Sequence, residues 1–395
     1  MRTFFGMAGI LFGALVLAGS NSAQAAKFHV LYEFQGGTDA DGPIAGLIDG
    51  KKLRYGTTYY GGAGNFGTVY SLASDGTERV LYSFAGGSDG ENPQAGLIAD
   101  AKGNLYGTTY YGGPGQCGTV FKITPKGHET VLYAFKCSLD GKYTTAGLVM
   151  DAEGNLYGAT YGGGLSNHGA IFKLAPEGAE TVLYSFTGGD DGAYPAGTLI
   201  TDKKGNFYGT TYNGGTADQG VVFKLSPKGK ETALYAFQGG NDGATPFAGV
   251  ILDGKGNIYG STYAGGGSGC NGSGCGTVYS LAPDGTETVL HAFAGGSDGF
   301  GLQAGVAADS SGNLYGSTLY GGNTSACSGN GCGTVFRLAP DGTKTVLYEF
   351  AGNDGAQPSA DFLAGKKGEL IGTTYNGGNT GCGGFGCGVV FEIKE

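Results

Sequence analysis

The sequence predicts an all-β protein, a closed seven-bladed β-propeller of four-stranded antiparallel blades, on three observations. A Tyr-Gly step recurs at Tyr55, Tyr106, Tyr157, Tyr208, Tyr259 and Tyr315, and once as Ile371-Gly372, at spacings of 51 four times and then 56 twice. Repetition at about 50 residues marks a stacked or radial array rather than a single-core domain. Each copy also carries four short strand-like runs punctuated by Gly- and Pro-containing turns, and no helical periodicity. Finally, the first run after the leader (residues 28–34) spells a fourth strand, whereas the last (residues 389–393) spells a third. A ring closes if the N-terminal strand completes the last blade, which removes the exposed edge; an open solenoid has no need of that offset.

The elements follow in chain order. Arg2 precedes an apolar run over residues 4–17, and Ala23-Gln24-Ala25 is a small-x-small cleavage site, so residues 1–25 read as a secretory signal peptide. The run is short for a membrane span, and the mature chain, residues 26–395, is expected to be secreted or periplasmic and to carry no membrane span. In the second copy, Gly96-Leu97-Ile98-Ala99-Asp100 is an apolar first strand ending in a turn through Gly103-Asn104. Residues 105–110 are β-branched and aromatic, a second strand, and Tyr111-Gly112-Gly113-Pro114-Gly115 is loop. Residues 119–123 alternate as a third strand, and after the Pro125-Lys126-Gly127 turn residues 130–135 form the fourth. Third strands recur at Val69-Tyr70, Ile171-Phe172, Val222-Phe223, Val278-Tyr279, Val335-Phe336 and Val390-Phe391.

Turns between strands one and two and between three and four are tight, so they share one face. The long connections share the other, and the length growth and most cysteines fall there in blades five to seven. Variable loops on a rigid scaffold are where binding usually resides, which points the expected site to that face, towards those blades.

Composition narrows the function. The 85 Gly and 11 Pro approach a low-complexity composition, but 25 Tyr, 22 Phe and only 14% charged residues supply enough apolar surface for a folded chain. Net charge is −10 with no basic cluster, which argues against a nucleic-acid partner. Eight cysteines fit an oxidising compartment. Cys270/Cys275, Cys327/Cys332 and Cys382/Cys387 are C-x4-C pairs, and Cys117 and Cys137 bracket a predicted hairpin, so four disulfides are expected, stapling the long loops. Zinc held by two neighbouring C-x4-C pairs is the competing reading.

The spelling Gly-Asn-Leu-Tyr-Gly-Thr-Thr, then Gly-Thr-Val-Phe and Thr-Val-Leu-Tyr-x-Phe, resembles the Gloeo/Verruco (GloVer) tandem repeat over essentially residues 28–395. The resemblance implies an extracytoplasmic bacterial protein, often tethered by a C-terminal sorting signal; no such tail follows Glu395, so release is expected. It brings no activity. More distantly, Gly-Asn-Leu-Tyr after Leu-Ile-x-Asp is similar to blades of NHL-repeat and gluconolactonase-like propellers, some of which are lactonases.

Candidate chemistry is sparse. Asp-Gly steps at Asp41, Asp89, Asp140, Asp191, Asp242, Asp298 and Asp354 could gather calcium, but a side chain that bonds its own turn explains them more simply. No other cofactor is expected. Tyr59, Tyr110, Tyr161, Tyr212, Tyr263 and Tyr375, with Leu319 in the sixth copy, end the second strands beside the long-loop face. They are the candidate ligand-binding residues, as platforms for sugars, although blade-to-blade packing is the plainer use of an aromatic ring there. Of His29, His128, His168 and His291, only His168 falls in the long-loop region, and Glu91 and Asp218 are unpaired departures from the repeat. No catalytic residue is assigned. The expected function is a non-catalytic binding or structural propeller for a glycan or protein partner, a monomer. The alternative is a propeller hydrolase, lactonase or lyase with a metal-assisted site at the channel mouth.

Overall fold

The computed structural model describes residues 26–365 and 368–395; the expected signal peptide, residues 1–25, lies outside them. Seven antiparallel blades follow one another, each ordered inner, second, third, outer. Blade 2 is typical: Ile98–Ala99, Leu105–Thr109, Thr119–Ile123 and Glu129–Ala134. Its inner strand pairs regularly over two residues only, where the apolar run suggested five. The residues just before it line the channel instead. In blade 7, Val389–Lys394 pairs on one side with Glu369–Asn376 and on the other with Lys27–Glu33, from Lys27 opposite Lys394 to Glu33 opposite Val389 with one bulge between Val30 and Tyr32.

The repeated spelling has a physical reason at each position. Gly107 pairs with Phe121 on the third strand, and a Cβ on it would lie 2.6 Å from the Phe121 ring; the glycine lets the ring lie flat across the sheet. The two threonines that follow divide their work. Thr57 donates to the carbonyl of Ala95 in the next blade at 3.1 Å, and Thr373 does the same to Ala45 at 3.3 Å, which ties blade 7 to blade 1. The second threonine bonds within its own blade, as in Thr109–Thr119 at 2.8 Å. In the inner turn, Asp100 accepts the Asn104 amide and side chain and the Tyr106 hydroxyl, which accounts for Asp-x-x-Gly-Asn-Leu-Tyr.

The core is divided into seven clusters, one at each seam between blades. At every seam the phenylalanine after an outer strand meets the third-strand aromatic of the next blade edge-to-face: Phe84 with Phe121 at 5.1 Å, Phe350 with Phe391 at 5.2 Å and, across the closure, Phe34 with Tyr70 at 5.1 Å. Such pairs contribute about 0.5–1.5 kcal/mol each beyond the area they bury. Each outer strand also bulges at the Leu of Leu-Tyr, as at Leu132, where the register skips between Val131 and Tyr133.

Candidate ligand site at the channel mouth

The chain leading into each inner strand runs along a central channel of about 90 Å³, to which all seven blades contribute. Five of the copies place a glycine at the innermost level; blade 7 places Asp361 there and blade 4 Thr198. Space dictates this choice: a Cβ on Gly46 would lie 2.5 Å from the Asp361 carbonyl oxygen. Asp361 accepts the Gly305 amide at 2.6 Å and Thr198 Oγ1 accepts the Gly147 amide at 2.9 Å, so both side chains bridge to the preceding blade. Asp361 is ringed by protein while its carboxylate faces the open channel. Burial raises its pKa and the Gly305 amide works against the rise. Neither residue was singled out from sequence, although aligning the copies on the Tyr-Gly step exposes both.

Above this level, Gln94, Thr145, Phe247, Gln303 and Ser359 line the passage, and the Ser359 hydroxyl is buried without a partner. Among the described lining residues Asp361 is the one carboxylate, and there is no histidine. The six predicted tyrosines stand around the mouth in sequence order. Tyr110 is close enough to Tyr59 and Tyr161 for each to raise its pKa, Tyr161 feels Tyr212, Tyr263 feels Tyr212, and Tyr375 feels Tyr59. Leu319 interrupts the ring in blade 6 and is buried.

The ring faces are not free platforms. Tyr110 stacks on Tyr143 and Tyr161 on Tyr194 of the next blade, both at 5.0 Å. The rings of Tyr263 and Tyr375 lie against Gly301 and Gly42 of the next blade. Packing therefore takes the faces of these four rings. Burial first, and neighbouring phenols second, push Tyr110 up to about 12; burial does the same for Tyr375. These hydroxyls keep their protons at neutral pH and can donate as well as accept. Tyr60, Tyr111, Tyr143 and Tyr194 extend the aromatic arc over blades 1 to 4. Sequence reading missed Tyr143 and Tyr194, which hold φ of 60°, a left-handed backbone that bulky residues seldom take.

Other candidates resolve differently. All four expected disulfides are present, Cys117–Cys137, Cys270–Cys275, Cys327–Cys332 and Cys382–Cys387, with Cα separations of 5.3–5.4 Å. No described cysteine is free, which removes the zinc reading. They lie in the long loops as expected, and they also reach the seams. One cysteine of each bridge is buried: Cys117, Cys275, Cys332 and Cys387 belong to the apolar clusters of four seams, and Cys332 and Cys387 have no exposed surface at all. Their partners Cys137, Cys270, Cys327 and Cys382 are partly or fully exposed. The reason is position. Cys332, like Cys275 and Cys387, stands two residues before its third strand, where the chain has already entered the seam. Each bridge therefore fastens a loop to the core, and none of these sulfurs is offered to a ligand.

The three C-x4-C bridges lie against Gly295, Gly352 and Gly36. Phe66 fills the same seat on Gly86, and His168 fills it on Gly188. His168 is thus a seam plug. Its Nδ1 is buried without a partner, and although Asp218 lines the same cleft, that carboxylate accepts the Gly214 amide at 2.8 Å. Glu91 accepts the Gly87 amide at 3.0 Å. Of the Asp-Gly set, Asp41 is misplaced. The residue equivalent to Asp89 is Asp39, which accepts the Tyr32 hydroxyl at 3.1 Å as Asp89 accepts Tyr82 at 2.7 Å. The spacing from the outer-strand tyrosine, not the following glycine, defines the position. Asp41 lies near the Cys382–Cys387 sulfurs, whose bond leaves them no thiolate to offer a metal.

No curated protein sequence matches this chain. Among solved structures, the extracellular domain of a candidate one-component system from B. thetaiotaomicron superposes with a TM-score of 0.59 at 10% identity, covering 93% of this chain and 40% of its own. A candidate 6-phosphogluconolactonase from Bacteroides uniformis gives 0.53 at 17% identity, over 82% of this chain and 89% of its own. PorZ, a surface component of the type-IX secretion system of Porphyromonas gingivalis, gives 0.52 at 14% identity, over 91% and 47%. The chain thus spans about two fifths of the first of these proteins and about half of the last. At these identities the likeness is one of fold. The Gloeobacter/Verrucomicrobia repeat model matches residues 20–204, 130–273 and 270–395, and the chain belongs to that family.

Proposed function

We propose that this protein is an exported, non-catalytic binding propeller that takes a glycan at the tyrosine-rimmed mouth of its channel. The observation that carries the reading is the circle of phenol edges above a channel whose described lining has one carboxylate and no histidine. Phenol hydroxyls that both donate and accept suit a polyhydroxylated ligand, and the negative net charge suits a neutral one. The lining supports binding over a lactonase, whose hydrolytic chemistry calls for several clustered acid or base groups. Four disulfides support export, and the extracellular or surface setting of two proteins of similar fold agrees. Among the described residues no helix is long and apolar enough to cross a membrane.

The test is a glycan-array screen followed by titration calorimetry on the best neutral saccharide. Tyr110→Phe and Tyr161→Phe, which keep the ring stacking and remove the hydroxyl, should each weaken binding about tenfold, the effect of one hydrogen bond to a ligand. Binding that is indifferent to both changes, or an array silent to every glycan, overturns the assignment.

A further inference from the structure

After each outer strand an aspartate collects donors from its own blade. Asp89 takes the Tyr82 hydroxyl and the Ala85 amide, and Asp39, Asp140, Asp191 and Asp242 take the equivalent tyrosine hydroxyls and amides. A residue at the start of the next blade's outer strand faces this carboxylate or its tyrosine. In five seams that group is another acid: Glu78 faces Asp39, Glu129 faces Asp89, Glu180 faces Asp140, Glu231 faces Asp191 and Glu287 faces Asp242. Every one of these glutamates has its Oε1 buried without a partner.

The remaining two seams show what the position requires. In the sixth, Lys344 replaces the glutamate and its ammonium lies 2.5 Å from Asp298 Oδ1. Burial alone would raise Asp298, but hydrogen bonds from His291 and Lys344 hold it well below the usual carboxylate range. In the seventh, Phe28 takes the position and stacks on Tyr348 at 3.8 Å, adding no charge. The third partner of the aspartate is therefore a donor or an apolar ring. A glutamic acid fits that pattern, because its O–H can donate as Lys344 does; a glutamate does not.

We propose that each of the five seams holds one proton between its two carboxyls, so that the ring is a closure favoured by acid and loosened as the pH rises towards neutrality. The groups facing each glutamate are few. They are its partner aspartate and that aspartate's tyrosine (Tyr32, Tyr82, Tyr133, Tyr184 or Tyr235), with Tyr70 at Glu78, Tyr279 at Glu287 and one cation, Lys136, at Glu180. Burial first and the facing aspartate second push all five glutamates from 4.5 up to about 7. A group whose pKa is raised by folding lends stability that is complete below its unfolded value and is lost as the pH climbs through the folded one. The window of loss thus runs from 4.5 to about 7. Each glutamate is only half-buried, so water screens part of the effect, but five equal seams act together.

The test is thermal unfolding of the mature chain in EDTA from about pH 5 to about pH 8.5. The midpoint should fall by about 5 °C or more, summed over the five seams, mostly below about pH 7.5 and levelling off above it. The triple change Glu129→Gln, Glu180→Gln and Glu231→Gln keeps a donor amide at each seam; it should flatten the curve and give a higher midpoint than wild type in the alkaline limb. Lys344→Glu, which makes a sixth acid pair, should steepen it. Infrared spectra of the unaltered protein read the same protons without any variant: a carboxylic-acid carbonyl band present below neutrality should vanish above it. A midpoint level or rising over this range, or no such band, overturns the proposal. So does an alkaline midpoint restored by calcium in wild type but not in the triple variant, which would put a metal ion where the proton is placed.

Discussion

Gly107 lies beneath the ring of Phe121, its partner on the neighbouring strand, and Leu97 closes the space from the side, 2.9 Å from where a Cβ would stand. Phe121 is in turn locked edge-to-face against Phe84 of the preceding blade. Gly107→Ala therefore cannot be absorbed within one blade. It should destabilise by about 1–3 kcal/mol, the range for overpacking a filled core, as read by urea unfolding. Gly37, which has no atom within reach of an added Cβ although its φ is +64°, is the control. There only backbone strain remains, and the loss should be at the low end of that range.

Two seams carry a defect that can be removed. Tyr70 and Tyr279 occupy the third-strand position that Phe121 fills in blade 2, are fully buried, and have hydroxyls with no partner. A buried unpaired hydroxyl costs about 1–3 kcal/mol. Tyr70→Phe and Tyr279→Phe should each stabilise the protein by about 1 kcal/mol or more, with additive effects because blades 1 and 5 do not touch. Differential scanning calorimetry of both single variants and the double checks this; loss of stability would mean that each hydroxyl has a partner in solution.

What could be read from the chain was what the chain repeats. Tyr-Gly, Gly-x-Thr and Asn-x-Tyr each do one structural task in five to seven of the copies, so period and spelling together were enough to specify blades and seams. Departures made in a single copy were harder. Asp361 stands where other copies have Gly96 or Gly249, and nothing about one aspartate tells that it enters a channel until the ring is closed. Asp41 was mistaken for the repeat aspartate because Asp39-Ala40-Asp41-Gly42 offers two candidates, and only the reach of the Tyr32 hydroxyl chooses between them. The pairing of Cys327 with Cys332 was legible from spacing, but the burial of Cys332 was not, since it depends on the seam that the next blade completes. The tyrosine ring was legible as a ring, whereas the use of its faces was not. That depends on Tyr143 and Tyr194 taking a left-handed backbone, against their ordinary preference.

The four bridges should differ in worth. Cys117–Cys137 spans 20 residues and joins the loop before a third strand to the segment after the outer strand, across the end of blade 2. The other three span 5 residues and close a local turn. Loop closure in the unfolded chain makes the long bridge contribute about 3 kcal/mol and each short one less. The paired change Cys117→Ala with Cys137→Gly should lower the unfolding free energy by about 2–3 kcal/mol, glycine being chosen because residue 137 has a φ of 61°. Cys270→Ala with Cys275→Ala should cost less unless the Gly295 seat collapses. Denaturant melts of the two variants, side by side, give the comparison.

Closure itself is open to a direct trial. Lys27–Glu33 covers one edge of Val389–Lys394, while Phe28 and Phe34 insert into the seams on either side, against Phe350 and Phe391 and against Tyr70. A mature chain lacking residues 26–34 would expose a six-residue edge strand whose side chains are almost all buried in the intact ring. Such an edge pairs with whatever strand it meets. The truncated protein should leave a sizing column as dimers or larger species, or precipitate, at concentrations where the full chain does not. A synthetic peptide of residues 26–35 added during refolding should return it to the elution volume of the ring, whereas the same peptide with Val30→Pro, lacking one ladder donor and stiffened at the strand centre, should not. A truncated chain that stays a stable, folded monomer without the peptide would mean that blade 7 holds together on three strands and that the first strand is ornament.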